Sequence, residues 1–397
     1  MVDKMEKAVS APVATPGIYN LGEPLRFKDV EQISGFVAET ANPGQVVKVW
    51  TRHALISDEP LFHWLVDSLD GVIRHMAQKA GVGVSLRRAD TVLLIIKPDN
   101  TAELWMDTAA VAVRCAVKRV IGTHTAVFEK DIADVTGMSF PCVEIGAEDK
   151  VFCIFREGWG FGLAFDFNPK GQLDLEGFQS LLGMLHRQLR YRHLYQAVTD
   201  PVVFGTLVAA GWFPFVEIIT SEFRELARQA ESGSDIAEIE PKIIAAFDAA
   251  RLGSLFERWT AKPHFAARAT LLKEAVEAFT DQKPASVIKI ILTEIEGVLN
   301  DAHKAVNDGQ GAKIRDLLAF AQASAEKLAG GPDTLFFPDA FGRYLSAHTF
   351  ANFDPVAGTG TAGSRHAVGH GAASQDSYTM TRALQAILTI DQLAFYT

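Results

Sequence analysis

Cysteine is scarce in this chain, with only Cys115, Cys142 and Cys153 among 397 residues. Odd in number and without CxxC spacing, they define neither a disulfide framework nor a zinc knuckle. A basic surplus is missing as well. The formal charge is −10, and both halves are acidic, −4 over residues 1–200 and −6 over 201–397. Non-specific nucleic-acid affinity comes mainly from neutralised phosphates, so broad DNA or RNA binding is excluded and any RNA contact needs a small local site. Long apolar runs are absent too. The most membrane-like stretch, residues 201–216, contains Gly205, Gly211 and Pro214 and is shorter than the roughly 20 residues that span a bilayer. It predicts a buried helix, with no membrane partner. Residues 1–16 hold no apolar run of signal-peptide length, which predicts a loose tail and a cytoplasmic protein.

What is present is ordinary globular composition, 48% apolar and 22% charged, which excludes a disordered chain or a coiled-coil rod. The length suits two or three domains. In the first half, Leu61, Leu65, Leu69, Val72 and Met76 recur at three- and four-residue intervals and predict an amphipathic helix. Residues 91–96 and 102–105 flank Pro98-Asp99-Asn100 and read as a strand pair. A second hairpin is expected from 151–155 and 161–167. From Asp200-Pro201, an N-cap followed by proline at the first helical position, the periodicity becomes helical. Helices are expected near 222–230, 241–251, 266–279, 286–300, 314–328 and 382–395. The fold class expected is α+β: a mixed α/β-sheet domain over residues 1–198, then an all-α domain over 199–397.

Chemistry concentrates at residues 364–371, Ser-Arg-His-Ala-Val-Gly-His-Gly. A neutral imidazole can take a proton from a ribose hydroxyl, and a guanidinium can stabilise charge developing on the adjacent phosphate, all without metal. Histidine titrates near neutrality and arginine's fork matches phosphate oxygens. Spacing alone does not single out this site. An arginine is followed at similar distance by a histidine at Arg119/His124, Arg187/His193, Arg258/His264, Arg343/His348 and Arg365/His370. Only the last has a second histidine directly after the arginine, glycine on both sides of the terminal histidine, a Gly/Thr/Ala approach over 357–363 and an amphipathic helix behind it.

Arg365-His366-x3-His370-Gly371, ahead of a helix containing residues 383–388, resembles the signature of the HEPN superfamily. The helix around 292–299 is similar to one in bacterial HEPN-like proteins that end in this pattern. The resemblance covers about residues 266–397. It implies an all-α domain that dimerises, so that two motifs face one cleft which cuts RNA without metal in active members, in defence or RNA processing. On it, His370 is the acid or base, Arg365 the phosphate clamp and His366 the residue that orients them. Two positions depart from the pattern: Ser364 stands where relatives commonly have Asn, and residues 372–379 lack their Tyr-Gly-Thr run. Many superfamily members are silent modules that dimerise or bind nucleotide, and that is the alternative function.

Four further features bear on the site. Arg187, Arg190 and Arg192, with Tyr191 and Tyr195, form a basic-aromatic cluster that would suit single-stranded RNA, or the solvated face of one helix over 173–195. Glu294 and Glu296, two apart on a helix, point in different directions; both are expected to serve the helix surface, the alternative being that one faces the motif and the other solvent. The glycine-rich stretch 157–162 lacks the strand-then-helix setting of a phosphate loop and reads as a hairpin turn. His366 and His370 have a zinc-ligand spacing, but Ala367 stands where a metalloprotease-type motif has its glutamate. No metal and no cofactor are therefore assigned.

Overall fold

A computed structural model describes residues 17–37, 39–79, 81–351 and 360–397. The expected tail, 1–16, and residues 357–359 of the glycine-rich approach lie outside the described residues. The protein is α+β, as its patterning predicts, and divides into two compact units. The first comprises the chain to Arg114 together with Val135–Arg190. The second comprises Cys115–Asp134 and Tyr191–Thr397.

The strands are β1 (Leu25–Phe27), β2 (Phe36–Val37), β3 (Val49–Trp50), β4 (Arg52–Ile56), β5 (Thr91–Ile96), β6 (Ala102–Met106), β7 (Ala112–Val117), β8 (Ile132–Ser139), β9 (Lys150–Glu157) and β10 (Gly160–Asp166). Helix α1 is Pro60–Lys79 and α2 is Leu175–Arg190. Six strands form one antiparallel sheet in the order β1-β6-β5-β9-β10-β4; β2 pairs with β3, and β7 with β8. Side chains alternate across a strand. Leu94 and Ile96 accordingly join Phe152, Leu65, Leu69 and Ile73 in a core beneath α1. Leu93 and Ile95 join Cys153, Phe178, Leu182 and Leu185 beneath α2. Helices on both faces explain why β5 reads as an unbroken apolar run. The β9–β10 hairpin turns through Gly158, at φ +59°, and an exposed Trp159, so the glycine-rich stretch is the expected turn.

The helices of the second unit are α3 (Arg192–Thr199), α4 (Pro201–Ala209), α5 (Ser221–Ser232), α6 (Glu240–Ala245), α7 (Ala249–Thr260), α8 (Pro263–Ala266), α9 (Ala269–Thr280), α10 (Pro284–Val306), α11 (Ile314–Ala329), α12 (Pro338–Tyr344), α13 (Arg365–Gly369) and α14 (Met380–Tyr396). Asp200 caps α4 as expected, accepting from the Val202 and Val203 amides at 2.8 and 3.1 Å. Helix α14 is the centre of the unit, with every residue from Ala383 to Ala394 buried. Its polar residues survive burial because each has a partner. Gln392 Oε1 accepts from the Val216 amide at 2.8 Å, and Gln385 Nε2 donates to the Ala210 carbonyl at 2.9 Å.

Several boundaries differ from the sequence reading. The single helix expected over 173–195 is two, broken at the fully buried Tyr191, and the division between units falls there rather than near residue 199. The second unit is not wholly helical in sequence origin, because it includes Cys115–Asp134. The helix expected over 241–251 splits where Asp248 caps α7 through the Arg251 amide at 2.8 Å. The buried helix expected over 201–216 stops at Ala209; Gly211 adopts φ +84°, and Val202 is 73% exposed. Helix α12 was not anticipated, although Pro338 at its first turn is a start signal.

Candidate functional site

The motif is built on α13, one short turn whose start is fixed by Ser364. The Ser364 hydroxyl accepts from the Ala367 amide at 3.4 Å and donates to the Ala351 carbonyl at 3.0 Å. Serine is a strong N-cap, and this one fixes where α13 begins. The approach is tied down as well. The Gly360 amide donates to Ala372 O at 3.0 Å, and the Ala362 amide to Ser377 Oγ at 2.9 Å. Gly371, at φ +68°, ends the turn.

Arg365 is ion-paired to Glu296 of α10, Nη2 to Oε2 at 2.5 Å, and both side chains are about one-third exposed. Its Nε is buried without a partner. Of the two glutamates on α10, Glu296 thus faces the motif, while Glu294 takes Arg268 at 2.8 Å. His366 is half-buried and His370 exposed. Neither imidazole is hydrogen-bonded among the described residues. The structure therefore gathers Arg365, His366 and Glu296 around α13 and leaves His370 as its exposed end.

The arginines of the four other Arg/His pairs are committed elsewhere. Arg119 pairs with Asp131 at 2.6 Å. Arg258 binds Asp391 at 2.7 Å, and His264 Nε2 lies 2.8 Å from Thr397 Oγ1. Arg187 donates to the Val135 carbonyl, and His193 Nε2 meets Ile219 O at 2.9 Å. Arg343 pairs with Asp339, and its neighbour His348 forms a site of its own. The basic-aromatic cluster is likewise not an open RNA surface. Arg187 is 4% exposed, Arg190 pairs with Glu157 at 3.0 Å, Tyr191 is fully buried, and Tyr195 donates to Asp333 at 2.6 Å. Only Arg192 of the three arginines is exposed.

His348 is the residue that pattern reading passed over. It sits on a π-helical turn, Leu345–Thr349, that continues α12, stacked on Tyr344 with ring centroids 5.3 Å apart. Such turns often mark functional or strained positions. Arg382 Nη1 lies 2.9 Å from His348 Nε2 and also donates to Ala210 O and Gln385 Oε1. Arginine only donates, so Nε2 accepts and the ring proton sits on Nδ1, which is buried without a partner. Burial, aided by the Arg382 charge, pushes the His348 pKa down to about 3. A Cβ on Gly363 would lie 2.6 Å from His348 Nε2, so the residue preceding Ser364 must be small. Two distant sequence signals, the Arg343/His348 spacing and the glycine before the motif, meet here.

A second charged cluster surrounds Asp391 of α14. The carboxylate accepts from Arg258 and, at 2.8 Å, from the indole of Trp259. Arg258 also reaches Glu217 at 3.0 Å and the Lys118 carbonyl at 2.8 Å. Burial pushes the Lys118 amine down to about 8. Among the described residues no group of three or more His, Cys, Asp or Glu side chains is placed to hold a metal ion, and no helix is long and apolar enough to cross a membrane. Fold and site together define a two-unit α+β protein whose second unit carries an exposed histidine beside an ion-paired arginine. The chain matches no family model, no curated protein and no solved structure.

Proposed function

We propose that this is an interaction protein whose second unit is a catalytically silent HEPN-like module that self-associates through the face bearing α13. The observation that carries this reading is the Arg365–Glu296 ion pair. A guanidinium already neutralised by a carboxylate is a poor clamp for a phosphate, and an imidazole without an orienting partner is a poor general base. The same pair fixes α13 against α10, which suits a surface that is recognised rather than one that reacts. Incubation with total RNA in EDTA is expected to give no cleavage beyond that of His370→Ala. Light scattering is expected to give a dimer that Arg365→Glu shifts toward monomer. Cleavage in EDTA leaving 2′,3′-cyclic phosphate ends, abolished by His370→Ala, would overturn the reading.

The exposed, unbonded imidazole of His370 favours a second reading, a metal-independent endoribonuclease acting as a homodimer, in which that ring takes the ribose proton. On this reading Glu296 restrains the clamp. Glu296→Gln should then raise cleavage severalfold by releasing Arg365. On the first reading it leaves RNA untouched.

A further inference from the structure

Lys118 follows β7 in the excursion Cys115–Asp134 of the second unit and is only 6% exposed. Its carbonyl accepts from Arg258 at 2.8 Å. Its amine has no hydrogen bond and no ion pair among the described residues. Lysine is almost never fully buried unless it is paired, and an unpartnered buried cation is destabilising. The chain neighbours Val117, Arg119 and Val120 are exposed, so the amine lies one layer beneath the surface, within reach of a small reagent.

Burial lowers the amine's pKa to about 8, with Arg251 and Arg258 adding to the fall and Glu217 and Asp391 opposing it. At pH 7.4 about a fifth of such an amine is neutral, against about one part in a thousand for an ordinary lysine. A desolvated lysine beside other cations is the kind that attacks carbonyl carbons.

The surrounding charges select the electrophile. Lys118, Arg251 and Arg258 stand against Glu217, Glu222 and Asp391, three cations to three carboxylates. Acylation or carbamate formation would remove the lysine's positive charge and leave one carboxylate uncompensated. An imine keeps that charge, because its nitrogen can still be protonated. Arg251 is fixed by Glu217 and Glu222, and Arg258 by Glu217 and Asp391, so the adduct has to be small. We propose that Lys118 is an imine-forming site for a short aliphatic aldehyde. The amine nitrogen adds to the carbonyl carbon. The carbonyl oxygen takes up the two protons that the nitrogen loses and departs as water, leaving a C=N bond with no oxidation or reduction. Protonation of the imine then restores the cation beside Glu217.

The test is to treat the full chain with acetaldehyde and cyanoborohydride at pH 7, which traps imines as ethylated lysines, and to map the products by peptide mass. Lys118 is expected to be labelled about tenfold faster, or more, than the exposed Lys170 and Lys273, and to lose that lead in urea. Labelling of Lys118 no faster than theirs, or a lead that survives unfolding, overturns the site. Carbon-13 hydrogen carbonate should give no lysine carbamate resonance. A carbamate resonance that Lys118→Arg abolishes overturns the choice of an aldehyde.

Discussion

At the scale of single residues, burial decides what each ionisable group does. His348 is pushed down to about 3 and His264 to about 4, both mainly by burial. An unfolded histidine takes a proton near 6.5, so between these values the unfolded chain binds protons that the folded chain refuses. The stability these residues supply is full above about 6.5 and is lost as pH falls toward 4 and then 3. A titrating histidine contributes a slope of about 1.4 kcal/mol per pH unit. Denaturant unfolding followed from pH 7 to 4 should show this limb, shallower in His348→Asn by about one proton. Asp391 carries a different liability. Its carboxylate faces Arg258 inside the unit, so Asp391→Ala leaves that buried guanidinium with Glu217 as its remaining carboxylate partner and the Trp259 indole without an acceptor, at a cost of about 2–3 kcal/mol; Arg258 and Asp391 changed together to apolar residues should cost less. Arg365 and His370 were legible as candidates from sequence because the residue types and their glycine context are local. Glu296, the partner of Arg365, was expected at the helix surface, since deciding whether it faces the motif needs the rotation of α10 against α13.

At the scale of elements, periodicity located most helices and strands, and end signals refined them where polar caps exist. Asp200 and Pro201 marked α4 correctly because capping is a contact between residues two or three apart. The break at Tyr191 left no such mark. Leu181, Leu185 and Leu189 keep helical spacing up to it, and a fully buried tyrosine interrupts the helix. Contacts between elements also fix small residues. Gly183 of α2 lies against the Gly137 backbone of β8, so closely that a Cβ would overlap it. Gly183→Ala should therefore destabilise the first unit by about 1–3 kcal/mol, measured by the midpoint of thermal unfolding. Gly71→Leu, in open space on α1, is the contrasting case in which a larger residue is accepted. The arginines at 187 and 190 show the same limit in the other direction. Composition suggested a cationic surface, but only the packing of α2 reveals that one is buried and the other paired.

At the scale of the whole molecule, the units are not consecutive in sequence. Cys115–Asp134 groups with the helical unit and supplies real contacts to it. Asp134 accepts from the Thr334 hydroxyl and, at 3.2 Å, from the Leu335 amide, and the Lys118 carbonyl accepts from Arg258. Residues 191–397 expressed alone should consequently melt lower, and less cooperatively, than the full chain. Cutting at the apparent change of character removes partners from buried groups. By itself, the sequence determined the α+β class, the order of sheet-rich and helix-rich portions, the acidic surface and the location of the Arg/His motif. These depend on composition and on spacings of two to four residues, which the backbone's own geometry reads out. Tertiary structure alone decided that Glu296 neutralises Arg365, that His348 stays uncharged beside Arg382, and that an excursion of the chain completes the second unit. Each depends on groups far apart in sequence being desolvated together, and no local pattern records which ones meet.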